Sequence, residues 1–174
     1  MTAQRQEGND RRSDAGFRPG IALISSLALV WLSLAAPQAA HAATTERVVA
    51  NRFTGLAIEG FDPVAYFVDQ RPERGLPDFE ASQDGAVWRF RNEGNRASFV
   101  AHPEIYGPQF GGYDPIDLAR GVTVAGNPLF WLVSGQRLYL FNRMENRAAF
   151  AAAPERSQRA AKSHWPAAEQ QLAQ

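Results

Sequence analysis

Large aromatic side chains alternate with other residues along Ala86 to Arg91, the two-residue period of a strand, and Phe79 to Ala81 before them reads as extended. Gln83-Asp84-Gly85 lies between these segments, where aspartate and glycine favour a tight turn. The pattern returns at Phe130 to Val133, Ser134-Gly135-Gln136 and Arg137 to Phe141, so two hairpins are predicted. A helix should follow each. Asn92 and Asn142 are placed to cap these helices, Phe99 and Phe150 point to a core, and Pro103 and Pro154 lie beyond helical turns they help to end. Asp62-Pro63 and Asp114-Pro115 each set a capping carboxylate before a proline, the residue best tolerated at the first helical position, so each predicts a short helix. The stretch from Glu155 to Gln174 reads as helical with a break at Pro166, and Trp165 should dock it on the body.

These elements repeat because the chain repeats. Asn95-Arg96-Ala97, Phe99, Ala101, Pro103 and Glu104 return 51 residues later as Asn146-Arg147-Ala148, Phe150, Ala152, Pro154 and Glu155. Gly75, Pro77 and Phe79 return at the same offset as Gly126, Pro128 and Phe130. Gly60-Phe61-Asp62-Pro63-Val64 answers to Gly112-Tyr113-Asp114-Pro115-Ile116 at an offset of 52, so one residue of insertion or deletion separates the halves. The expected fold is α+β: two tandem ββα modules forming one compact domain with a C-terminal helical tail. One unit of about 50 residues buries little apolar area and would be marginal alone, so the two should pack on each other.

The first 42 residues read as a targeting segment. Arg11, Arg12 and Arg18 form a cationic start, Ile21 to Ala36 is apolar apart from serines, and Ala40-His41-Ala42 has the small-x-small form of a cleavage site. Cleavage is expected after Ala42, giving a periplasmic or secreted protein with no stable membrane insertion. A retained anchor is the competing reading, disfavoured by Pro37 and by an apolar run shorter than the about 20 residues a spanning helix needs. Ser13-Asp14-Ala15-Gly16 after the arginine pair lacks the hydrophobic residues of a twin-arginine signal, so general, Sec-type secretion is expected. The organisation that follows is a lead-in over 43–59, module 1 over 60–110, module 2 over 111–157 and a tail over 158–174.

Without that segment the chain carries 14 basic against 15 acidic residues, a formal charge of −1. No footprint for nucleic acid follows from that balance. The absence of cysteine excludes disulfides, thiolate metal ligands and thiol redox chemistry together, so stability must come from packing.

Gly60-Phe61-Asp62-Pro63-Val64-Ala65-Tyr66-Phe67, then Val87-Trp88-Arg89-Phe90, then Phe99 with His102-Pro103-Glu104 and Tyr106, then Gly111-Gly112-Tyr113, together resemble the exported class of YHS-domain proteins. The likeness covers essentially all of the chain after residue 42. In the metal-associated YHS modules this pattern resembles Asp-Pro-Val-Cys at the start and Phe-Cys-x-x-x-Cys between hairpin and helix, and those cysteines would bind metal. Here the first position is Ala65 in one copy and Asp117 in the other, and the junction positions are Arg91 with Asn95 and Asn142 with Asn146. The resemblance therefore implies the fold, and no cofactor is expected. A metal enters only through the family.

Other chemistry finds few residues. His102 and His164 lie 62 residues apart, a poor start for a transition-metal site, and His102 before Pro103 suits a helix end as well as ligation. Asp62 and Asp114 could pair around a hard cation such as calcium or serve as caps. If copper, zinc or another metal is handled, the ligand candidates are His102, Asp114 and Asp117. None of Ser82, Ser98, Ser134, Ser157 and Ser163 has a nucleophile-elbow context, and Gly111-Gly112 lacks the third glycine of a nucleotide fingerprint. A periplasmic hydrolase using Asp114 with Asp117 as acid and base would need a cleft to hold them. Tyr106 to Asp114 joins the copies with three aromatic rings, which can plug a seam between modules or line a pocket for a small ligand or peptide. The candidate ligand residues are Tyr66, Tyr106, Gln109, Tyr113 and Asp114. The expected function is a non-enzymatic binding or accessory module with an unknown periplasmic protein or small ligand as partner.

Overall fold

A computed structural model describes residues 46–173; the expected targeting segment, the cleavage expected after Ala42 and Gln174 lie outside the described residues. The fold is α+β. Two antiparallel hairpins pair β1 (Leu76–Gln83) with β2 (Ala86–Phe90) and β3 (Asn127–Ser134) with β4 (Arg137–Phe141). Short helices α1 (Ala65–Val68) and α4 (Pro115–Leu118) precede the hairpins, and α2 (Glu93–Ala101) and α5 (Met144–Ala152) follow them. A one-turn helix α3 (Pro103–Tyr106) leads from α2 into the link between copies, and α6 (Pro154–Leu172) ends the chain.

Turn chemistry sets both hairpins. Asp84 and Gly85 both have positive φ, 53° and 77°, as do Gly135 and Gln136 at 56° and 58°, the two-residue turn whose twist matches the strands. The pairs Leu76↔Phe90, Glu80↔Arg89 and Gln83↔Ala86 return as Asn127↔Phe141, Trp131↔Leu140 and Ser134↔Arg137, each 51 residues on and with the register shift in the same place. Gly75 and Gly126 explain one invariant of the repeat. A Cβ on Gly75 would lie 2.3 Å from the backbone carbon of Arg89, and one on Gly126 would lie 2.6 Å from Leu140 Cβ. Each N–H donates across that close approach at 2.9 Å, to the carbonyls of Gly60 and Gly112.

The two strands at matching positions are buried differently. In β2 the side chains of Ala86, Trp88 and Phe90 are buried while Val87 and Arg89 are half-exposed, so one face meets the core. In β4 the residues from Leu138 to Phe141 are all buried. Leu138 and Leu140 join the first core with Trp88, Phe90 and Phe99, whereas Tyr139 and Phe141 join the second with Phe110, Leu118 and Phe150. β4 is a wall shared by two cores.

Three expectations need correction or refinement. Asn142 does not cap α5: the residue at that position is Arg143, without a side-chain bond, because Asn142 corresponds to Arg91 and not to Asn92. Asn92 does cap α2, accepting from Asn95 N at 2.9 Å. The tail is not broken at Pro166, since α6 runs through it and also through the 157/158 boundary. Pro166 and Lys162, whose carbonyl loses its helical partner, are both exposed, so water can satisfy that carbonyl. Trp165 docks the helix as expected, edge-on to Phe110 at 5.8 Å and tilted against Tyr113 at 6.3 Å.

The lead-in is tied to the rest of the chain at both copies. Val49 N donates to Gly111 O at 2.8 Å, Ala57 N donates to Val87 O at 2.8 Å, and Glu46 N reaches Leu172 O at the end of α6 at 3.1 Å. Among the described residues no helix is long and apolar enough to cross a membrane.

If β4 serves both cores, Leu140→Ala should cost about 2–5 kcal/mol in urea unfolding. Arg89→Ala at the matching place in β2, which loses an ion pair with Glu80, should cost less than about 1 kcal/mol.

Candidate functional site

The most organised polar feature occurs twice. Asp62 and Asp114 are both 0% exposed. Asp62 accepts from Val64 N at 2.8 Å through one carboxylate oxygen, and from Arg91 N at 2.8 Å and Asn95 Nδ2 at 2.6 Å through the other. Asp114 accepts from Ile116 N at 2.8 Å and Asp117 N at 3.4 Å, then from Asn142 N at 2.8 Å and Asn146 Nδ2 at 2.7 Å. With one oxygen Asp114 caps α4, whereas Asp62 bonds only the turn before α1, whose cap position is Val64 and not the expected aspartate; with the other oxygen each pins the point where a hairpin becomes a helix. Burying a carboxylate is costly unless it is hydrogen-bonded, and here every lone-pair direction in use faces an N–H.

The second copy adds Asp117. Its Oδ2 accepts from Asn146 Nδ2 at 3.0 Å, so one amide bridges two carboxylates. Its Oδ1 contacts Arg120 directly and lies 3.6 Å from Arg143, which compensates the extra buried charge. No buried side-chain nitrogen or oxygen lacks a partner among the described residues.

This donor set does not fit the metal that the resemblance implies. Asn95 and Asn146 present N–H groups to the aspartates from the positions where the resemblance would put cysteines, and an amide donor offers no lone pair there. Of the other metal candidates, His102 is exposed at the end of α2 with Nδ1 3.6 Å from Glu104, and not beside Asp114 or Asp117. His164 is exposed on α6 with its Nδ1 3.1 Å from Ala160 O.

The candidate ligand residues do not share one pocket. Tyr66 is buried, donates to Pro128 O at 3.0 Å and meets Trp131 edge-on at 5.3 Å, which ties α1 to β3. Tyr113 is buried and donates to Glu46 O at 2.7 Å. Tyr106 is half-buried, edge-on to Phe67 at 5.3 Å. Burial first, and the negative charge of Asp62 second, hold the Tyr66 hydroxyl well above the ordinary tyrosine range. Burial likewise raises Tyr113, with Glu46 adding to it, and raises Tyr139.

Gln109 lines a cavity of about 340 Å³ against the first copy. Buried Trp88 and Phe99 wall it on the first copy, the Pro103 to Gly111 link runs along it, and Arg47 and Glu169 border it from the two ends of the described chain. Its other charged residues are Asp84 and Glu104, so three carboxylates face one guanidinium. Compared with known protein families, curated proteins and solved structures, the chain matches none.

Sequence reasoning did not anticipate Asn95 and Asn146 as the partners of Asp62 and Asp114. Their recurrence at the offset of 51 was the available signal, because the aspartates recur with them.

Hydrogen bonds to charged groups are worth about 1.5–3 kcal/mol, so Asn146→Ala, which takes one donor from each of two carboxylates, should destabilise by about 3 kcal/mol and Asn95→Ala by about 2, measured by urea unfolding. The three tyrosines whose folded ionisation lies above the unfolded value of 10 keep their full contribution to stability below that pH. The contribution is lost as pH rises further, so alkaline titration should show tyrosinate absorbance appearing together with unfolding.

Proposed function

We propose that this chain is an exported protein of two tandem ββα modules of YHS type that acts as a binding or accessory module and has no cysteine metal site. Two observations support the modular reading: the strand registers and the Asp–Asn bonds recur in both halves, and positions 117 and 146, which the resemblance would fill with cysteines, are in hydrogen-bond contact at 3.0 Å. The polar groups that could do chemistry at these points are spent on each other. The open feature is the groove beside Gln109, and its carboxylates carry the functional reading. Asp84, Glu104 and Glu169 against Arg47 favour a small cationic ligand or a basic peptide segment, with Trp88 and Phe99 as apolar wall.

Titrating the full chain with agmatine, followed by calorimetry, tests this. Saturable binding weakened several-fold by Glu169→Gln and by Gln109→Ala is expected; no saturation at millimolar agmatine overturns the groove as a cation site. Metal analysis of the exported protein, purified without chelator or a histidine tag, belongs with that experiment. Copper, zinc or calcium near one per chain would replace this reading with metal handling.

A further inference from the structure

Three differences between the copies meet in one place. In the first copy Arg96 is held by Glu93 through bonds of 2.7 and 2.8 Å. In the second, Met144 stands where Glu93 would be, and Arg147 has no carboxylate within ion-pair distance among the described residues. Its Nε donates instead to Trp131 O at 2.7 Å, which anchors the guanidinium while its terminal nitrogens make no hydrogen bond among the described residues. Trp131 is the second difference, since it stands where the first copy has Glu80 in an ion pair with Arg89. The third is Gln70, held at φ 53° where the matching residue, Gly121, adopts φ 78° without penalty. A glutamine in that conformation is strained, and such strain persists where the side chain has a use.

Arg147, Trp131 and Gln70 line a single open pocket of about 420 Å³ together with Tyr66, Phe67 and Val133. Phe67 and Trp131 are half-buried, so their rings are partly open to a ligand. A cation with no carboxylate partner among the described residues, planar and pre-oriented, beside aromatic surface recognises a planar anion. We propose that this pocket binds a small aromatic carboxylate, with the ring against Trp131 and Phe67 and the carboxylate on the free guanidinium nitrogens of Arg147. The Gln70 amide supplies a further donor. The site shares no residue with the groove lined by Gln109 and stands whether or not that groove takes a ligand.

Calorimetric titration of the full chain with naphthalene-2-carboxylate and with naphthalene-2-carboxamide tests it. One charge-assisted contact corresponds to about a tenfold preference for the acid. Arg147→Met should remove that preference, while Arg96→Met at the matching place should keep it. Gln70→Gly should raise the melting temperature and weaken the acid several-fold, a combination that a purely structural glutamine would not produce. Equal affinity for acid and amide, no binding of the acid at millimolar concentration, or a preference surviving in Arg147→Met overturns the proposal. The comparison of acid with amide uses the unaltered protein, so it remains decisive if Arg147→Met fails to fold.

Discussion

Leu138 and Leu140 leave one face of β4, Tyr139 and Phe141 leave the other, and both faces are covered. A strand ordinarily belongs to one core, with its alternate side chains left to solvent. Here the alternation divides one strand between two cores, each too small to be stable by itself. Each buried leucine or aromatic contributes about 1.5–3 kcal/mol of transfer free energy. Replacing Val87 and Arg89 of the first copy by Leu138 and Leu140 in the second therefore converts a repeat into a single body. Tyr66 reinforces the seam, its hydroxyl bonded to Pro128 O of the other copy.

Polar groups fix what the shared strand brings together. Hydrophobic contact is non-directional and would let a four-residue helix slide on a hairpin. The bonds from Asp62 to Asn95 and from Asp114 to Asn146 are directional, and they lock α1 and α4 to the junctions before α2 and α5. The cost of burying these carboxylates is met by N–H donors on every side, so the network gives geometry at little net expense. That same saturation removes the aspartates from chemistry. What remains for binding lies at the margins of the two copies.

Much of the fold was legible because it is local. Turn residues at Asp84-Gly85 and Gly135-Gln136, alternation in the strands and the capping residue Asn92 act over a few positions, and the repeat supplied the rest by analogy. Trp165 was readable as an anchor because so large a ring needs a surface to cover. Pro166 misled because its effect depends on whether water reaches the orphaned carbonyl of Lys162, which is a property of the folded surface. The partners of the aspartates lie 33 and 32 residues away, beyond any local rule. Tyr66, Tyr106 and Tyr113 drew attention as aromatics, yet whether a ring plugs a seam or lines a pocket depends on what packs across it. Gln109 reached a cavity because the link passes over the first core there.

The hydrogen bond from Glu46 N to Leu172 O places the beginning and the end of the described chain side by side. A contact spanning that separation forms last as the chain emerges, after every local hairpin and helix has had its chance. The lead-in also crosses Gly111 and feeds Val48 into the first core, which takes Leu138 and Leu140 from β4 as well, so that core stays incomplete until β4 has arrived. A chain made from its N-terminus would thus remain an open string of local hairpins and helices and would clasp shut only once its final helix had formed.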